Sequence, residues 1–179
     1  MKRFIPITFF LLLLLQISPT YSLNTREDLF REALDFSANG DFVIALEKWN
    51  DYLKLFSDDS AALSNRGNIK LVLGDPKGSI KDQDAAILLD ASELDPYTNR
   101  GIAKEALGLW QEAKNDYLYV ISKDNKNSAA LYNLANVEGS LGDWVKARDL
   151  FNKASEYNPG FAMARSSVAL ADYEIGDFD

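Results

Sequence analysis

After an apolar run near its start, the chain places apolar residues three and four apart in stretches of about 14 residues, the pattern of amphipathic helices. These stretches are punctuated by Gly40, Gly74, Gly108, Gly142 and Gly176, which are spaced by 34 residues each time. Five glycines in register mark an internal repeat. With this glycine as position 15 of each unit, position 8 is small throughout: Ala33, Gly67, Gly101, Ala135 and Ala169. Position 20 is small too, as Ala45, Ser79, Ala113 and Ala147, whereas position 24 is large, as Trp49, Gln83, Tyr117 and Phe151, and position 4 carries Leu29, Leu63, Tyr97 and Leu131. The pattern predicts two helices per unit. Glycine tolerates the left-handed backbone that ends the first helix, and Asp41, Asp75, Asp143 and Asp177 follow it directly as caps for the second. Pro76 falls just inside a second helix, where a missing N–H costs nothing. Small residues at positions 8 and 20 let the paired helices approach closely, and the large residue at position 24 fills the gap toward a neighbour. Each unit is thus expected to be a helical hairpin, and the chain all-α.

Positions 7 and 23 change together from unit to unit, which supports the hairpin independently. They read Glu32 with Lys48, Arg66 with Asp82, Arg100 with Asp116, and Leu134 with Leu150. The charges reverse sign in step and then both side chains turn apolar, so these residues are expected to meet across the two helices. Where solvent reaches such a pair, its coupling is roughly 0.2–1 kcal/mol.

The apolar run itself reads differently. Lys2 and Arg3 precede a stretch from Phe4 to Ile17 that is apolar apart from Pro6, Thr8 and Gln16, and Thr20-Tyr21-Ser22 offers small residues where a signal peptidase reads. Residues 1–22 are therefore expected to be a secretory signal, the run being shorter than the roughly 20 apolar residues of a spanning helix. The mature chain would begin at Leu23.

Charge and composition narrow the chemistry. Nineteen Lys and Arg stand against 27 Asp and Glu, a formal net charge of −8, which has the wrong sign for a nucleic-acid partner. The chain has neither His nor Cys, which removes imidazole-based and thiolate catalysis, imidazole and thiolate metal sites, and disulfides. The remaining carboxylates, Lys, Tyr and Ser form no recognisable catalytic constellation, so no enzyme, cofactor or metal is expected. Asp58-Asp59 and Asp82 with Asp84 lack the spacing and glycine of a calcium loop and read as solvated helix-end charges. Asp124-Asn125-Lys126-Asn127 reads as a turn, and Trp110, Trp144, Phe42 and Phe178 as residues that open second helices.

With its 34-residue period, small positions 8 and 20, and recurrent aromatics, the chain resembles the tetratricopeptide repeat family over residues 26–179. Units fall at 26–59, 60–93, 94–127 and 128–161 within the 23–161 segment, followed by a partial fifth at 162–179 that supplies a first helix. The fourth matches best, through Leu131, Leu134, Ala135, Ala147, Phe151, Ala154 and Pro159. Lys70, Lys104 and Glu138 stand where the family has an aromatic, Gln83 replaces the second aromatic, and Tyr52 replaces a small residue. Ser57, Ala91 and Asn125 replace the closing proline. These departures bear on local packing. The resemblance implies an α–α superhelix, a right-handed solenoid whose first helices line a concave groove with positions 2, 5, 6, 9, 12 and 13.

That groove is the expected binding surface. Positions 6 and 9 place Asn65, Asn68, Asn99, Asn133 and Asn136 in a row beside Ile102 and Tyr132. An asparagine offers both a carbonyl and an amide, so the row suits the backbone of an extended peptide, or it ties neighbouring helices together. The carboxylate clamp that holds tails of cytosolic heat-shock chaperones needs basic residues where this chain has Ser64, Ala129 and Asn133, so that mode is not expected. Segments such as Ala130 to Val137 and Pro159 to Asp172 resemble exported cyanobacterial and plastid members. That resemblance implies the thylakoid lumen or the periplasm, and a role in assembly or maintenance of membrane, including photosynthetic, complexes. Gly176-Asp177 repeats the closing-and-opening pair and Phe178 begins another helix, which reads as a shortened chain. The expected function is a protein–protein interaction scaffold; the alternative is a structural subunit that self-associates into a homo-oligomer through the exposed C-terminal helix.

Overall fold

A computed structural model describes residues 25–176 of the 179. The expected signal at 1–22 and the helix start at Phe178 lie outside the described residues. Helices occur in pairs: α1 (Arg26–Asn39) and α2 (Phe42–Leu55), α3 (Ser60–Val72) and α4 (Pro76–Leu89), α5 (Asp95–Glu105) and α6 (Trp110–Lys123), α7 (Ser128–Ser140) and α8 (Trp144–Tyr157). A last first-type helix, α9 (Ala162–Ile175), follows. The described residues contain no strand. Every helix packs on the one before and the one after it, and α1 touches α3, α3 touches α5 and α5 touches α7. This is an all-α helical repeat superhelix, in which hairpins stack and each contacts only its neighbours.

The five repeat glycines all take positive φ, from 71° to 89°. After each of the first four, the next N–H bonds the carbonyl five residues back, as Asp75 does to Lys70 at 2.8 Å and Asp143 to Glu138 at 2.9 Å. The helix is thereby closed in the same way unit after unit. Asp75 and Asp143 cap α4 and α8 through their carboxylates, but Asp41 makes no side-chain cap bond to α2, so that expectation is corrected. A second set of caps recurs at the residue just before a unit, position 34 of the repeat: Thr25 at α1, Asp59 at α3 and Asn127 at α7.

Large faces small as expected. A Cβ on Gly101 would lie 2.5 Å from the Tyr117 ring, and one on Gly67 would lie 2.6 Å from the Gln83 amide nitrogen. The position 7 and 23 pairs also meet. Lys48 bonds Glu32 at 2.7 Å, Arg66 and Arg100 each grip an aspartate with two nitrogens, and Leu134 and Leu150 share one apolar cluster. Solvent scarcely reaches the two Arg–Asp pairs, because Asp82 and Asp116 are buried, and Asp82 is not the solvated helix-end charge expected from the sequence.

Buried ion pairing also explains the departures at position 11. Lys70 and Lys104 each reach the same aspartate as the arginine one turn earlier, both at 2.7 Å. Glu138 sits between Lys114 and Lys146 at 2.9 and 2.7 Å. Tyr52 is buried, lies against Phe30, Trp49 and Phe56, and donates to Asp59 while accepting from Arg26. The apolar core falls into three clusters, one in the first two units around Trp49, a small one of Tyr97, Val120 and Ala130, and one in the last units around Phe151. The second and third units also bury the polar Ser64, Ser79, Asp82, Gln83 and Asp116.

Candidate functional site: the concave face

The concave face changes character along its length. At the first unit it carries Phe30 and the exposed Leu34; at α9 it carries Met163, Leu170 and Tyr173, all at least half exposed. Between these apolar ends, in the units that bury several polar side chains, a cleft of about 220 Å³ opens between α3 and α5. Asn65, Asn68 and Asn99 line it together with Ser64, Glu93 and Asp95. Three of the seven residues singled out from sequence are thus brought to one place.

Their hydrogen bonds show what each still offers. The Asn99 amide donates to the Ser64 hydroxyl at 3.2 Å, across the α3–α5 contact. Gln83 donates to the Ser64 carbonyl at 3.0 Å and to Asn68 Oδ1 at 3.2 Å. Two asparagines therefore brace the solenoid with one end of their amides, leaving Asn68 its N–H2 and Asn99 its carbonyl toward the cleft. Asn65 takes part in no side-chain hydrogen bond among the described residues, so its whole amide is available. Asn133 and Asn136 are half-buried on α7, beyond this cleft, and Ile102 is exposed on α5. Tyr132 serves packing as much as surface, its ring 4.8 Å from Phe161 and 5.4 Å from Phe151.

Two further regularities were open to a reading of the sequence and were missed. In the first and third units position 12 meets position 24: the Trp49 indole donates to Ser37 at 2.9 Å, and the Tyr117 hydroxyl donates to Glu105. In the second unit position 12 is Leu71 and Gln83 donates to Ser64 and Asn68 instead, and in the fourth Gly139 makes room for the Trp144 ring. Position 7 also reaches position 25 of the preceding unit, Arg66 to Asn50 at 3.1 Å and Arg100 to Asp84 at 2.7 Å. Position 25 becomes Leu118 before the unit whose position 7 is Leu134, a change in step that signals the contact.

Burial pushes the Glu105 carboxyl up, and the Tyr117 hydroxyl only partly offsets this. An acid raised in the folded state binds more protons there than in the unfolded chain. Its contribution to stability is present at low pH and is lost as pH climbs from the ordinary glutamate range through the raised value. Glu138 behaves oppositely: burial pushes it up, but hydrogen bonds from Lys146 and Lys114 prevail and hold it below its ordinary range, so its contribution disappears as pH falls. Glu105→Gln is expected to flatten the decline of stability on the neutral side of the glutamate range, measured by denaturant titration at a series of pH values. An unchanged pH profile would show that Glu105 titrates normally.

No helix among the described residues is long and apolar enough to cross a membrane, and these residues form no group of acids able to hold a metal. Two family models, each described as tetratricopeptide repeat, match residues 30–96 and 128–161. NADPH oxidase activator 1 of Rattus norvegicus is 28% identical over 151 residues, covering 73% of this chain and 34% of that protein. The chain thus spans about a third of the length of that relative. Among solved structures, MamA is similar with a TM-score of 0.70 and 25% identity, covering 81% of this chain and 85% of that one. The first repeat domain of Spaghetti (RPAP3), solved bound to an HSP90 peptide, shares the fold with a TM-score of 0.63 at 22% identity, covering 65% of this chain and 93% of that one.

Proposed function

This chain belongs to the tetratricopeptide repeat family, and from that premise we propose that it is a non-enzymatic scaffold holding an extended peptide or a partner helix against its concave face. The observation that carries the reading is the cleft between α3 and α5, lined by the whole Asn65 amide, the N–H2 of Asn68 and the carbonyl of Asn99, groups not used within the fold. Each hydrogen bond from such a group to a peptide backbone contributes roughly 0.5–1.5 kcal/mol net. Apolar flanks at Phe30, Leu34, Ile102, Tyr132 and Leu170 add side-chain contact on either side. That a domain of this fold, in Spaghetti, is solved with a peptide bound supports the mode of action. Its ligand does not transfer, because Ser64, Ala129 and Asn133 occupy the places a carboxylate clamp fills with basic residues.

The proposal extends to residues 1–22 as an export signal, with the mature chain in the thylakoid lumen or periplasm and employed in assembly or upkeep of membrane complexes. N-terminal sequencing of the exported product, expected to begin at Leu23, tests that part.

An array of unrelated 12-residue peptides, screened with the mature chain, tests the binding reading. Among the peptides retained, Asn65→Ala is expected to weaken affinity about 2- to 10-fold, the equivalent of one lost hydrogen bond. Asn133→Ala, farther along the face, is expected to do the same for peptides long enough to reach α7. No retained peptide, or affinities that ignore both substitutions, would remove the reading. Sedimentation over a concentration series checks the rival use of Met163, Leu170 and Tyr173 on α9, since a stable oligomer that covers the concave face would leave no room for a peptide.

A further inference from the structure

We infer that the segment held in the α3–α5 cleft carries a lysine or arginine whose cation seats between Glu93 and Asp95, an inference that rests on the peptide-binding reading above. The charge inventory of the concave face leads to it. Positions 2, 5, 6, 9, 12 and 13 of the five units carry four acids and no lysine; Glu105 is taken up by Tyr117, which leaves Glu27, Asp95 and Glu174. The single cation at these positions, Arg31, belongs to the first unit and lies 3.6 Å from Asp28. The cations of the middle units are drawn elsewhere. Arg66, Lys70, Arg100 and Lys104 all turn to Asp82 or Asp116 between the paired helices. These four cations stand at positions 7 and 11, off the groove, and leave Asp95 at its centre without a compensating charge.

The cleft itself matches such a side chain. Glu93 and Asp95 stand at its rim, both exposed, and neither forms an ion pair among the described residues. Ser64, Asn68 and Asn99 make up a polar wall, and the Asn99 carbonyl oxygen, not used within the fold, is an acceptor for an ammonium or guanidinium hydrogen. At about 220 Å³ the space is smaller than the roughly 300–1,000 Å³ of small-molecule sites, and fits one side chain of a longer ligand. A carboxylate-bearing residue would instead meet two like charges. The chemistry is thus opposite to that of a clamp for acidic tails: the partner is a protein with an exposed, extended basic segment.

Matched triplets of arrayed 12-residue peptides, identical except for Lys, Gln or Glu at one central position, test this on the mature chain. The Lys members are expected to bind about 5- to 10-fold tighter than the Gln members, with Glu weakest, and to lose that advantage as salt rises. The combined Glu93→Gln, Asp95→Asn variant is expected to bring Lys and Gln members within about 2-fold of each other without weakening the Gln members. Asp95 also lies in the first turn of α5, where an acid favours the helix, so circular dichroism must show the variant folded. A merely structural role for Asp95 would lower all three affinities together. Equal binding of Lys and Gln members, or preference for Glu, would overturn the inference while leaving the peptide-binding reading in place. Failure of every peptide to bind would strike that reading itself.

Discussion

Asp116→Ala is expected to destabilise the protein by about 3–5 kcal/mol, far beyond what a solvent-exposed charge pair would lose. Asp116 is 4% exposed and receives Arg100 at 2.5 and 3.0 Å and Lys104 at 2.7 Å. Removing it leaves two cations facing each other with little water to screen them. Arg100→Ala is expected to cost less, because Asp116 keeps Lys104, but it also severs the link from Arg100 to Asp84 in the preceding unit. In a double-mutant cycle the Arg100 and Asp116 substitutions should couple by about 1–3 kcal/mol, whereas the half-exposed Glu32 and Lys48 should couple by less than about 1 kcal/mol. Additivity of the Arg100 and Asp116 costs, to within about 0.5 kcal/mol, would show that the observed geometry carries no energy.

A single methyl group at position 101 is expected to cost about 1–3 kcal/mol. Alanine is ordinarily the better helix residue, by roughly 1 kcal/mol over glycine, so the substitution starts with an advantage. Steric overlap reverses it: the new Cβ would meet three Tyr117 ring atoms at 2.5, 2.7 and 3.1 Å. Tyr117 is fully buried and its hydroxyl is tied to Glu105, so the ring has nowhere to go without moving a helix. Denaturant unfolding of Gly101→Ala measures the net effect, and Gly101→Ala with Tyr117→Leu should recover part of it. A single mutant as stable as the parent would mean that α5 and α6 separate freely, contrary to the close approach.

The hairpin was legible because its signals are local and recur. A glycine at one register, small residues opposite large ones and charges that reverse in step are each repeated several times, and repetition turns weak propensities into a firm reading. The candidate site was less legible for the same reason. Asn65, Asn68 and Asn99 could be placed on one face by period, but whether an asparagine braces the solenoid or waits for a ligand depends on its partner. For Asn68 that partner is Gln83, the residue that departs from the aromatic pattern. Lys70, Lys104 and Glu138 looked like losses of packing and are instead members of buried ion networks.

By itself the sequence determined the hairpins, their period, their number in residues 26–161 and the pairing of positions 7 with 23, since helix formation and closure depend on residues a few positions apart. Only the tertiary structure decided how deeply Asp82 and Asp116 lie, how Arg100 links two units, and that buried Gln83 holds Ser64 and Asn68 at the α3–α5 cleft. Burial and desolvation are set by the stacking of one hairpin on the next, and no pattern within a single unit contains that information.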